Sequence, residues 1–130
     1  MVRFLRIGLM APTRVLIVDD VAQVRRDLRT ALTLSGDIEI IGEASNGVEV
    51  IRLAQLLSID AILMDLEMPV MDGYEATRQI KACYPECRVV ALTVHDYESA
   101  RTKAILAGAD DFLVKGAPVE KIIQSISHKE

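Results

Sequence analysis

Five polar residues stand at the ends of otherwise apolar runs: the pair Asp19-Asp20, then Asp65, Thr93 and Lys115. The runs are Val15-Leu16-Ile17-Val18, Ala61-Ile62-Leu63-Met64, Arg88-Val89-Val90-Ala91-Leu92 and Asp111-Phe112-Leu113-Val114. Brought together, three carboxylates, a hydroxyl and an ammonium suit one kind of chemistry. Two like charges about 4 Å apart repel by roughly 4 kcal/mol at an effective dielectric of 20, so such a cluster demands neutralisation. Lys115 supplies one positive charge. A hard divalent cation with oxygen ligands supplies the rest, and Mg²⁺ suits two or three carboxylates, a carbonyl and several waters. A carboxylate is also a nucleophile toward phosphorus, giving an aspartyl phosphate. That transfer needs a metal to offset charge on the oxygens, and it gains from an ammonium and a hydroxyl on the transferred group. Other chemistries lack their residues: there is no Gly-rich phosphate loop, and no Ser or Cys beside a base in a nucleophile elbow.

The elements that must position these residues follow from apolar periodicity. Short uninterrupted apolar runs suit strands covered on both faces. The more alternating Ile38-Glu39-Ile40-Ile41-Gly42-Glu43-Ala44 suits a strand nearer an edge. Helical spacing runs from Val21 to Leu34 with Gly36 as the stop, and from about Gly47 to Leu57 with Asn46 as cap. It recurs from about Tyr74 to Cys83 with Pro85 beyond, and from Tyr97 to Ala107 with Gly108 as the close. The last helix runs from about Pro118 to Ser127, with Pro near the first turn, where its missing N–H costs nothing. Five alternating strand–helix units predict an α/β fold, a doubly wound five-stranded parallel sheet. Right-handed crossovers and a peripheral second strand favour the flavodoxin-like order 2-1-3-4-5. In that order the ligand crevice lies at the carboxyl ends of strands one and three, where the fold collects all five polar residues.

Composition narrows the partners. With 130 residues, 51% hydrophobic and 26% charged, the chain is one domain with its own core, neither disordered nor fibrous. A net charge of −4 disfavours direct nucleic-acid binding, and aromatics at 4% without Trp disfavour base stacking. Cys83 and Cys87 read as ordinary thiols of a reducing cytosol. No apolar run is long enough to span a bilayer, so no membrane association is expected and the location is read as cytoplasmic. Residues 1–12 read as an N-terminal extension, with Arg6 breaking its apolar stretch and Met10 as an alternative start, and residues 13–130 as the domain.

Four motifs in order resemble the receiver domain of two-component response regulators. They are Val15-Leu16-Ile17-Val18-Asp19-Asp20, Met64-Asp65-Leu66-Glu67-Met68-Pro69-Val70-Met71-Asp72-Gly73, Ala91-Leu92-Thr93, and Gly108-Ala109-Asp110-Asp111-Phe112-Leu113-Val114-Lys115-Gly116. The resemblance runs from about Thr13 to Ser127 and is greatest to the branch carrying a LuxR/NarL-type helix-turn-helix output. It implies that Asp65 is the phosphoacceptor, taking phosphoryl from a histidine kinase or phosphotransfer protein. It implies Mg²⁺ held by Asp19, Asp20, Asp65 and the main-chain carbonyl of Glu67. Thr93 becomes the switch hydroxyl, Lys115 the phosphate-contacting lysine, and Phe112 the aromatic switch. Such a domain promotes its own phosphorylation and dephosphorylation without independent substrate turnover, and homodimerisation on phosphorylation is compatible with it.

Some positions depart from the family pattern. Val94 is bulky where a small residue is common, so narrowed access to Asp65 is expected; Phe112 lacks a hydroxyl; Gly116 follows Lys115 where Pro is frequent. Glu67 and His95 flank the site in variable places. Bland readings stand beside these. Asp19-Asp20 also suits a helix cap, Thr93 a strand and Phe112 a core, and Arg25, Arg26 and Arg29 read as a solvated helix face. Two other functions stay open: a phosphorylation-incompetent interaction module, and a Mg²⁺-dependent aspartyl phosphohydrolase with Glu67 as a poorly matched second acid. A stand-alone domain and a fragment of a DNA-binding regulator are both compatible with the sequence.

Overall fold

The computed structural model describes residues 11–95 and 97–127. The extension read over residues 1–12 therefore lies almost wholly outside the described residues. Strands and helices alternate as β1 (Thr13–Val18), α1 (Ala22–Thr33), β2 (Ile38–Ala44), α2 (Gly47–Leu56), β3 (Ala61–Asp65), α3 (Gly73–Cys83), β4 (Arg88–Thr93), α4 (Glu98–Ala107), β5 (Asp111–Val114) and α5 (Val119–Ser127). All neighbouring strands pair in parallel, in the order β2-β1-β3-β4-β5. The expected flavodoxin-like topology is the one observed. The helices end within a residue of expectation because flanking residues serve as caps. Val21, Leu34, Leu57 and Tyr97 sit just outside their helices, and the Pro118 carbonyl accepts the first α5 bond from the Lys121 N–H at 2.9 Å. Gly73 is one residue inside α3, where the Asp72 side chain accepts the Glu75 N–H at 2.9 Å.

The inner strands are apolar throughout because helices cover both faces. Val15, Ile17, Leu63, Val90, Leu92 and Leu113 pack with Leu32, Ile122 and Ile126 of α1 and α5. On the other face, Leu16, Val18, Ile62, Met64 and Val89 pack with Val50, Ala76 and Ile80 of α2 and α3. A smaller cluster of Leu66, Ala91, Ala104 and Phe112 lies beneath α4. Each buried aliphatic side chain contributes about 1.5–3 kcal/mol, so the sheet is a stiff base for the residues at its edge.

β2 breaks the alternation once. Val15 pairs with Ile40 but Leu16 pairs with Gly42, which leaves Ile41 as the extra residue of a bulge. Before the bulge, Ile38 and Ile40 pack into the α1–α5 layer; after it, Ala44 packs into the α2–α3 layer. The parity change carries Glu43 to the side on which α1 lies.

The loop after β3 turns sharply. Val70 has φ of 72°, and the Met71 N–H bonds the Pro69 carbonyl at 2.8 Å, closing a γ-turn. A β-branched residue is strained there, and Val70 is exposed, so no packing offsets the strain. Val70→Gly is expected to stabilise the fold by about 1 kcal/mol in denaturant unfolding, because glycine adopts positive φ without a Cβ clash. An unchanged or lowered midpoint would show that the turn holds no strain.

Candidate functional site

Parallel strands put every carboxyl end on one edge, and the site forms there. Asp19 leaves β1 and is almost fully buried, with every polar main-chain and side-chain group engaged. Its N–H bonds the Ala44 carbonyl at 3.0 Å, its carbonyl accepts the Arg25 guanidinium at 2.6 Å, and its Oδ1 accepts the Val21 N–H at 2.9 Å. Its Oδ2 meets Lys115 Nζ at 2.7 Å. Asp20 is exposed, and among the described residues its carboxylate has no protein partner. Asp65 ends β3, 4% exposed; its Oδ1 accepts the Glu67 N–H at 3.4 Å and lies 3.3 Å from Lys115 Nζ. Its Oδ2 is buried without a partner. Carboxylate oxygens of Asp19, Asp20 and Asp65 come within 4.8 Å of one another, close enough to ligate a single ion.

The electrostatics follow from that crowding. Burial pushes the Asp65 carboxyl up, and the Asp19 charge adds to the effect against the pull of Lys115, giving about 6 in place of 3.8. Burial pulls the Lys115 ammonium down, but its hydrogen bond to Asp19 and the charges of Asp65 and Asp19 outweigh that and hold it above its ordinary value. The donor set fits a hard divalent cation: only oxygen ligands, surplus negative charge and one orphaned buried oxygen.

Close approach between elements makes this possible. Gly73 donates to the Leu66 carbonyl at 3.0 Å, and a Cβ on it would stand 2.1 Å from the Asp65 carbonyl oxygen. Only glycine lets α3 begin this tightly against the end of β3.

Not every expected residue joins the cluster. Thr93 is buried at the end of β4, and its Oγ1 accepts the His95 N–H at 3.2 Å. Its carbonyl accepts the Lys115 N–H at 2.7 Å, so Thr93 and Lys115 are tied through the backbone. Phe112 lies in the α4 cluster with the Arg101 guanidinium 4.5 Å from its ring centroid. Glu67 and His95 flank the site as a pair, with Oε1 and Nε2 3.3 Å apart and His95 stacked on Tyr97. Val94 is largely exposed, and no cis peptide bond occurs among the described residues. Cys83 and Cys87 are free thiols, and burial pushes Cys87 up to about 11, far from reactivity.

The arginines require a correction. Arg25 does not belong to a solvated face: it is half-buried, bonding Glu43 of β2 at 2.9 Å and the Asp19 carbonyl at 2.6 Å, whereas Arg26 and Arg29 are exposed as read, Arg29 bonding Glu43 at 2.7 Å from the solvent side. The hydrogen bond from Arg29 chiefly holds Glu43 below its ordinary value, with Arg25 adding to it against burial. Helical periodicity locates these arginines on α1 but does not reveal that the bulge at Ile41 turns an acid toward them.

A cluster of acids at the carboxyl edge of a doubly wound sheet, where such folds bind ligands, defines the class of this α/β domain. Over residues 15–127 the chain matches the response regulator receiver domain, and it belongs to that family. It is 43% identical over 113 residues to the transcriptional regulatory protein LiaR of Bacillus subtilis (strain 168), covering 87% of this chain and 54% of that protein. The chain thus spans about half the length of the curated relatives it matches. Its fold superposes on the signal receiver domain of the putative response regulator NarL from Mycobacterium tuberculosis with TM-score 0.84 at 28% identity, covering 92% of this chain and 99% of that one. It also superposes on a chain of the CheX-CheY-BeF3-Mg+2 complex from Borrelia burgdorferi with TM-score 0.79 at 29% identity, covering 89% and 87%. None of the described helices is long and apolar enough to cross a membrane.

The raised Asp65 value fixes a pH dependence. The folded state binds this proton more tightly than the unfolded chain, so the contribution is fully present below about 4. It is lost as pH rises through about 6, a change of about 3 kcal/mol. In chelator, Asp65→Asn is expected to stabilise the domain by about 1–3 kcal/mol at pH 7.5 and to lose that advantage below pH 4. Urea unfolding across pH checks this, and equal stabilities at pH 7.5 would contradict it.

Proposed function

We propose that this receiver domain accepts a phosphoryl group on Asp65 from a phosphohistidine of a histidine kinase or phosphotransfer protein, in a Mg²⁺-dependent step. The observation that carries the reading is Asp65 Oδ2: a buried carboxylate oxygen with no partner, beside Lys115 and two further acids. Asp19, Asp20, Asp65 and the Glu67 main-chain carbonyl would hold Mg²⁺, which when bound offsets the charge that keeps a phosphoryl group away from carboxylates. The superposable BeF3-Mg+2 complex supports that ligand class.

Within this reading, Asp65 Oδ2 attacks phosphorus and forms an O–P bond as the P–N bond to the donor imidazole breaks. The electron pair of that bond stays on the ring nitrogen. With its other nitrogen already protonated, the ring departs as neutral imidazole, and the charge of the phosphoryl oxygens passes to the new aspartyl phosphate. Lys115, now shared between Asp19 and Asp65, is placed to contact a phosphoryl oxygen. Thr93 Oγ1, which accepts the His95 N–H, donates its O–H to a phosphoryl oxygen, and Phe112, paired with Ala91 of the adjacent strand, repacks beneath α4. That repacking reaches a partner directly or, where a DNA-binding output domain is attached, reaches DNA.

The test is incubation with a small phosphodonor and Mg²⁺, then intact-mass measurement and site mapping. One added phosphoryl on Asp65 is expected, abolished in Asp65→Asn and reduced at least tenfold by chelator. Absence of labelling would favour an interaction module, and multiple turnover of phosphomonoesters without labelling would favour a hydrolase.

A further inference from the structure

We infer that Arg25 is a positioning residue for the metal site, holding the Asp19–Asp20 peptide so that Asp20 faces the ion. This rests on the Mg²⁺ reading above. Asp19 is anchored through its own side chain, but Asp20 is not: among the described residues its exposed carboxylate has no partner. The direction in which Asp20 leaves the backbone is set by the plane of the peptide joining it to Asp19. The oxygen of that peptide is the Asp19 carbonyl, and Arg25 Nη1 donates to it at 2.6 Å. The preceding peptide, Val18–Asp19, is held by the neighbouring strand, where the Asp19 N–H donates to the Ala44 carbonyl at 3.0 Å. Arg25, from the helix that follows, acts on the next peptide, the one that leads to Asp20.

Arg25 can do this because it is itself held. Its Nε donates to Glu43 Oε1 at 2.9 Å, leaving the far end of the planar guanidinium to reach the carbonyl. It is mostly buried, with a side-chain exposure of 19% against 45% for Arg29. Arg29 bonds the same carboxylate at 2.7 Å but, among the described residues, reaches none of the site. The two arginines therefore form a natural control pair, with the same partner and the same charge but only one of them touching the metal loop. Glu43 faces them because of the Ile41 bulge, so a backbone irregularity in the edge strand extends to the order of the acid pair.

Charge and position predict opposite outcomes. A fixed cation near a divalent ion repels it, so on charge alone the loss of Arg25 tightens Mg²⁺ binding. If Arg25 acts by positioning, its loss weakens binding, because one of three carboxylates is no longer aimed. Mg²⁺ titration by calorimetry on the wild type, Arg25→Gln, Arg25→Lys and Arg29→Gln separates these, with circular dichroism to verify folding. Arg25→Gln is expected to weaken Mg²⁺ five- to tenfold and Arg29→Gln to stay within twofold. Arg25→Lys, which keeps the charge but not the fork, is expected to weaken it about threefold. If Arg25→Gln does not fold, Arg25→Lys decides the matter. Unchanged or tighter binding in the decisive variant overturns the inference while leaving the site reading intact, whereas a wild type that binds no Mg²⁺ overturns both.

Discussion

The mutual repulsion of Asp19, Asp20 and Asp65 is the constraint on which the rest of the molecule depends. Three acids converge on one edge of the sheet, two of them nearly excluded from water, with one lysine among them. Such an arrangement does not assemble for its own sake: burial and like charge both disfavour it. It persists because the apolar layers on either face of the sheet provide far more stabilisation than the site removes. The site is therefore a local conflict imposed by a stable scaffold, and a cation at that edge would relieve it.

That view explains why the surroundings are so constrained. Gly73 permits α3 to begin against the Asp65 carbonyl, and the strained Val70 turn gives the loop a short return path to Gly47, whose N–H bonds the Met71 carbonyl at 2.8 Å. Lys115 is coupled to Thr93 through one backbone hydrogen bond, so a shift in either strand end is felt by the other. The Thr93 hydroxyl accepts the His95 N–H, which leaves its own proton for a second partner.

Much of this was legible in the sequence, for a specific reason. In a parallel sheet every strand ends on the same edge, so residues that terminate apolar runs, far apart in number, must be neighbours. Asp19, Asp65, Thr93 and Lys115 could be grouped by that rule alone, and the strand order followed from short crossovers and the alternation in β2. What escaped depends on parity and rotamer rather than on pattern. Ile40-Ile41 offers two registers, and the choice of a bulge, which only the packing decides, turns Glu43 toward Arg25 and Arg29. A solvated and a cross-linked arginine have the same helical spacing. The orientation of Thr93 toward His95 and the positive φ at Val70 are likewise set by local contacts, and a β-branched residue argues against that φ when read alone.

The central claim is that burial, with the neighbouring Asp19 charge, raises the Asp65 carboxyl at the sheet edge, and that a divalent cation would reverse it. Following the ¹³C shift of the Asp65 carboxyl carbon against pH measures this directly. In chelator the midpoint is expected near the value of about 6 that the geometry implies, and in saturating Mg²⁺ it is expected to fall below the ordinary aspartate value. A midpoint close to that of a free aspartate in chelator, unmoved by Mg²⁺, would contradict the account.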